Sequence, residues 1–159
     1  MQSFLLLTLI LLSIGGYYLG RNRAFAVAGG QIRHLHSLPS FYGSYTALWC
    51  GLPALIVYAV WASLQPSVII DLVVSVMPPE LRNLPPDQLN LVVNDLKNLV
   101  SGNIVSSTPD AAMLDAANRY HNLQLIGNVS LWVVILTLAI AGAAYAWRAI
   151  SPSLRARNR

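Results

Sequence analysis

Three long runs without a charged residue constrain this chain more than any other feature in it. FLLLTLILLSIGGYYL occupies Phe4–Leu19, a second run extends from about Tyr45 to Leu64, and a third from about Val129 to Trp147. A helix that crosses the hydrocarbon core of a bilayer needs ~20 predominantly apolar residues, with ~17 as the lower limit. The second and third runs meet this unaided; the first meets it when Met1–Ser3 and Gly20 share the interface. Aromatic and basic residues close the ends of the runs as interfacial anchors do: Tyr17, Tyr18 and Arg21, then Tyr45 and Trp61, then Trp132, Trp147 and Arg148.

Composition agrees. Charged residues are 10% of the 159-residue chain and hydrophobic residues 55%, whereas about 25% of a soluble domain is charged. A larger core cannot absorb that deficit, because a domain of this size still needs a polar surface. The fold class read from the sequence is therefore an all-α membrane protein. It has three transmembrane helices and a small helical extracytoplasmic segment. The single cysteine, Cys50, excludes an intrachain disulfide and carries no information on redox compartment. The first run has no Lys or Arg before it, no A-x-A site follows it closely, and its charges come after it at Arg21 and Arg23, so it reads as an uncleaved span rather than a signal peptide.

The charges are segregated. Arg21, Arg23 and Arg33 lie in the connection after the first run, and Arg148, Arg155, Arg157 and Arg159 in the tail, with no acidic residue in either. All six acids, Asp71, Glu80, Asp87, Asp95, Asp110 and Asp115, fall in the middle segment beside Arg82, Lys97 and Arg119. Lys and Arg in short connections resist translocation. These arginines thus act as topology anchors, keeping the connection and tail cytoplasmic and placing the amino terminus and middle segment outside. Basic residues that flank apolar spans also argue against nucleic acid as a partner.

The chain divides accordingly. Residues 1–20 are the first transmembrane helix, 21–44 a cytoplasmic basic elbow, 45–64 the second helix, 65–128 a periplasmic helical cap, 129–147 the third helix, and 148–159 a cytoplasmic basic tail. The elbow reads as a short interfacial helix broken at Gly29-Gly30, with Pro39 marking a turn and Ser40 or Ser44 as N-cap of the second span. Pro53 falls in the first turns of that span, where a neighbour must satisfy the freed carbonyl. In the cap, PPDQLNLVVNDLKNLVSG has proline where a helix starts and glycine just past its end. Its residues Leu89, Val92, Val93, Leu96, Leu99 and Val100 mark one apolar stripe. TPDAAMLDAANRYHNLQL opens with Thr108 as N-cap, repeats Met113, Ala116, Ala117 and Tyr120, and runs on past Gly127 into the third span. A further helix is expected around Val68–Met77, ended by Pro78-Pro79. Gly142, Ala143 and Ala144 offer either a close helix contact or a lipid-facing surface.

No phosphate loop, H-E-x-x-H, cysteine cluster or nucleophile elbow is present in the sequence. No Asp, Glu, Lys, Arg or His lies inside the three runs, as a proton or ion pathway would require. The expectation is a protein that is not an enzyme, with no catalytic, cofactor-binding or metal-binding residues. His34 and His36, two apart, are poorly placed as a ligand pair, which makes a haem subunit built on them or on His121 the weakest option. Asn128-Val129-Ser130 matches the glycosylation pattern at a membrane boundary, where chance suffices.

GRNRAFAVAGG followed by LHSLPSFYGSYTALWCGLPAL resembles the amino-terminal extension of the phosphate ABC transporter permease subunit PstC. The residues that carry the likeness are Gly20, Arg21, Arg23, Gly29-Gly30, His36-Ser37, Pro39, Tyr42-Gly43, Trp49 and Pro53. The tail LRARNR looks like the junction at which such proteins enter the permease core. The resemblance implies a structural module of an inorganic phosphate importer in the bacterial inner membrane. The implied partners are the permease core, a second permease subunit, an ATPase dimer, a periplasmic phosphate-binding protein and the lipid bilayer. The alternative is a free-standing tri-spanning accessory or sensory protein whose cap binds a partner.

Overall fold

Each apolar run lies inside a helix longer than itself. The computed structural model describes residues 2–30, 35–103, 110–151 and 153–154. Among these residues it contains five helices: α1 Gln2–Val27, α2 Pro39–Ser75, α3 Pro79–Arg82, α4 Pro86–Ser101 and α5 Ala111–Ala149. No strand occurs among the described residues. α1, α2 and α5 are long and apolar enough to cross a membrane. At 1.5 Å per residue, α2 and α5 reach about 55 Å and 58 Å, well beyond a hydrocarbon core of about 30 Å. The protein is thus an all-α, multi-pass membrane protein. It divides into two compact units, Met1–Val60 with Ser130–Arg159, and Trp61–Val129.

In the first unit, α1 runs on through Arg21 and Arg23, so the first part of the expected separate elbow helix, Arg21–Val27, forms its last two turns. It stops at Gly29 and Gly30, whose φ values of 58° and 80° lie in the left-handed region. Gly29 N–H bonds to the Ala26 carbonyl and Gly30 N–H to that of Phe25, which satisfies two of the orphan carbonyls at the helix end. α2 starts at Pro39 rather than near Tyr45. Proline suits the first helical position because its missing N–H would have had no partner there. Ser40 and Ser44 therefore fall inside the helix, exposed, and neither is its N-cap.

α1 and α2 pack antiparallel through small residues. A side chain on Gly20 would strike Thr46 and the Tyr42 carbonyl, and one on Gly43 would meet the Tyr17 ring and carbonyl at 2.8 Å. Gly16 lies over Cys50: a side chain on Gly16 would come within 3.4 Å of the Cys50 Cβ. Gly16, Gly20 and Ala24 recur every four residues, one step per turn, so a single stripe of α1 lets the backbones approach. α5 reaches α2 in the same way. A side chain on Gly142 would fall on the Trp49 carbonyl oxygen, with the Trp49 carbonyl carbon at 2.8 Å. Trp49 is four residues before Pro53, so its carbonyl has lost its helical N–H partner. A Gly142 Cα–H points at that oxygen and offers it a weak hydrogen bond. The proline thus sits in mid-helix, not in the first turns, and α5 answers the carbonyl it frees.

In the second unit, the expected helix at Val68–Met77 is the end of α2, which continues through Pro66. Ile69, Val73 and Met77, one turn apart, are buried against Leu96 of α4 and Ala116, Ala117 and Tyr120 of α5. Val92, Leu99, Val100 and Met113 pack around this core. Pro78, which has no N–H to offer, ends α2, and Arg82 caps it by donating from its guanidinium to the Ser75 carbonyl at 3.3 Å. α4 begins at Pro86 and ends at Gly102, φ 73°. Thr108 and Pro109 lie outside the described residues. Asp110 caps α5, its carboxylate accepting from Met113 N–H at 2.8 Å. Gln65, buried, donates to the Asn128 side-chain oxygen at 3.1 Å. Asn128 is thereby a half-buried helical residue engaged in packing.

Candidate functional site

The carboxyl-terminal end of α1, the amino-terminal end of α2 and the carboxyl-terminal end of α5 meet at one end of the first unit. This node contains most of the described residues that the sequence singles out. Tyr42, fully buried, is its centre: its ring packs with Ala24 and Ile150, and Val27, Leu35 and Leu154 lie around them. Its hydroxyl donates to the Leu154 carbonyl at 2.8 Å, which fastens the chain beyond α5 to the start of α2. One turn on, the buried Thr46 hydroxyl donates back to the Tyr42 carbonyl at 3.0 Å. The same hydroxyl oxygen is the Thr46 atom closest to a side chain built on Gly20, so it also fills the approach between α1 and α2.

Arg23 lays its guanidinium on the Trp147 ring, 4.3 Å from the centroid. Such a contact is worth about 0.5–2 kcal/mol, more when it is desolvated. The Arg23 Nε is buried and has no hydrogen-bond partner among the described residues. Arg21 takes a different direction, exposed and 5.8 Å from the centroid of Phe25. Arg148 is exposed in the last turn of α5. Trp49 packs against Tyr145 in a tilted contact at 4.9 Å and meets Tyr45 edge-on at 6.4 Å.

The other motif residues divide by burial. Pro39 and Gly43 are buried, Ser37 and Pro53 half-buried, and His36 exposed. His121 is exposed on α5 in the second unit. Arg33, His34, Arg155, Arg157 and Arg159 lie outside the described residues. Thr46, Trp147 as a platform for Arg23, and Leu154 as an acceptor belong to the node without any sequence signal for those roles. A threonine one turn after a tyrosine stands out only once Gly20 is known to face it.

Among the described residues the node offers no convergent set of nucleophile, base and oxyanion donors. The hydrogen bonds from Tyr42 to Leu154 and from Thr46 to Tyr42 run to backbone carbonyls and tie the start of α2 to the segment beyond α5. No curated protein and no solved structure matches the chain. A family model described as phosphate ATP-binding cassette transporter matches residues 6–104, well over half of the 159 residues. The match takes in the elbow, the glycine-mediated α1–α2 pair, and α3 and α4. The chain belongs to the phosphate ATP-binding cassette transporter family.

Proposed function

We propose that this chain is the membrane-embedded amino-terminal module of an inorganic phosphate ABC importer permease, and that its part in transport is structural. The carrying observation is the tie from Tyr42 to Leu154, flanked by Arg23 on Trp147. Residues inside the family-matched region hold the segment that leaves α5. A permease core entered through that segment would start from a braced point instead of a swinging one. The arginines Arg21, Arg23, Arg33, Arg148, Arg155, Arg157 and Arg159 favour a cytoplasmic elbow and tail in a bacterial inner membrane, with the amino terminus outside.

On this reading the second unit is a periplasmic helical cap beside the docking site of the phosphate-binding protein. Hydrolysis of ATP belongs to the partner ATPase dimer, and this chain performs no enzymatic step. Phosphate uptake and co-purification of the second permease subunit test the role. Transporters carrying the module intact, with residues 1–154 deleted, or with Gly142→Leu are compared. The expectation is lowered assembly and lowered uptake in both altered forms while the core is still present in the membrane. Undiminished assembly and uptake in the deletion would remove the bracing role.

A further inference from the structure

Between α1 and α5, inside the first unit, runs an apolar groove of about 660 Å³. Leu11 and Ile140 line its deep end, Gly15 and Ala143 its floor, and Trp147 and Arg148 its mouth. The two helices run parallel here, since Arg23 meets Trp147 and Ala24 meets Ile150 at the same end. The depth of the groove comes from what is missing at Gly15: a Cβ built there has no atom within 4 Å. From Leu11 to Leu19 the groove extends for about 12 Å along α1, within the ~15 Å of hydrocarbon in one leaflet.

We propose that this groove seats an acyl chain of an anionic phospholipid whose phosphate lies against Arg148. Charge decides the occupant. Residues 1–60 and 130–159 contain seven arginines and no Asp or Glu. An arginine closes the mouth, and a second one, Arg23, lies on the tryptophan beside it. The bilayer supplies phosphate at the level where Trp and Arg anchor a span, and basic pockets between transmembrane helices are recognised headgroup sites. The long axis of the groove runs down from that cation along the path of an acyl chain. A zwitterionic lipid fits the groove equally well but gains less from Arg148, so headgroup charge is what the site distinguishes.

Native mass spectrometry of the purified full chain, equilibrated with equal phosphatidylglycerol and phosphatidylcholine, tests this. The wild type is expected to retain phosphatidylglycerol in preference. Arg148→Gln removes one interfacial charge and is expected to lower that retention about fivefold, with a smaller loss of phosphatidylcholine. Gly15→Leu fills the groove without striking the protein and is expected to lower retention of both lipids, with helical circular dichroism intact. Should Gly15→Leu disturb the melt, Arg148→Gln, at an exposed side chain, decides alone. Equal retention of the two lipids by the wild type, or unchanged retention in Arg148→Gln, overturns the proposal. So does rapid disulfide dimerisation of Ile140→Cys in a Cys50→Ala background, which would mean a second copy covers the groove.

Discussion

Replacing Gly142 by alanine puts a methyl group in place of one hydrogen at the closest glycine-to-backbone approach in the first unit. The new Cβ falls on the Trp49 carbonyl oxygen, with the carbonyl carbon at 2.8 Å and the Cys50 nitrogen at 3.4 Å. All three are backbone atoms of α2, so no rotamer change relieves the contact and the helices must part. Overpacking of this kind costs about 1–3 kcal/mol, and the lost Cα–H···O contact about 0.5–1 kcal/mol. Alanine also gains up to about 1 kcal/mol of helix propensity over glycine, which masks part of the loss. Gly15→Ala supplies the control: the same propensity gain, with nothing within 4 Å of the added carbon. The difference between the two variants therefore isolates the approach, and it comes to about 1.5–4 kcal/mol. Titration with denaturing detergent in mixed micelles, followed by circular dichroism, measures it. If Gly142→Ala and Gly15→Ala unfold at the same midpoint, the packing of α5 on the carbonyl freed by Pro53 is wrong.

Other substitutions address the node and the second unit. Tyr42→Phe removes only the hydroxyl that holds the Leu154 carbonyl, and is expected to cost about 0.5–1.5 kcal/mol, with faster amide exchange confined to the α5 end and the segment beyond it. Leu96→Ala truncates a side chain that is 1% exposed and is expected to cost about 2–5 kcal/mol. Leu91→Ala, 62% exposed on the same helix, should leave the melt unchanged. Gln65→Leu leaves the Asn128 amide unpaired, with an expected loss of about 0.6 kcal/mol and at most about 1.7, read in the same detergent titration.

The parts of this fold that were legible in the sequence are those with a local chemical cause. Pro86 and Gly102 bound α4 where the sequence put its ends, because each residue has one conformation it favours. The stripe of Val92, Leu96, Leu99 and Val100 and the repeat of Met113, Ala116, Ala117 and Tyr120 face the core, because the second unit has a polar side to contrast with it. In α1 that contrast vanishes. The helix is apolar all round, so hydrophobic period cannot say which face meets α2, and the glycines decide instead. The start of α2 was misplaced because the sequence read Pro39 as a turn, whereas it opens the helix. The continuity of α2 through Pro53 and Pro66 was illegible for a related reason. The local cost of each proline is visible in the sequence, but the partner that offsets it is not: Gly142 lies 89 positions after Pro53. Of the elbow motif, the residues to which the node gives a clear task are Tyr42, Gly43, Pro39 and Trp49. His36 stays exposed, and the structure gives it no task.

The account depends most on which side of the membrane holds the arginine-bearing elbow. Replacing the buried Cys50 with alanine clears the background for single cysteines at His36→Cys in the elbow and Asp87→Cys in α4, both at exposed positions. A membrane-impermeant maleimide applied to intact cells should modify the cysteine at position 87 at once, and that at position 36 only after permeabilisation. Labelling of position 36 from outside, with position 87 protected, would contradict the orientation and with it the proposed place of this module in a phosphate importer.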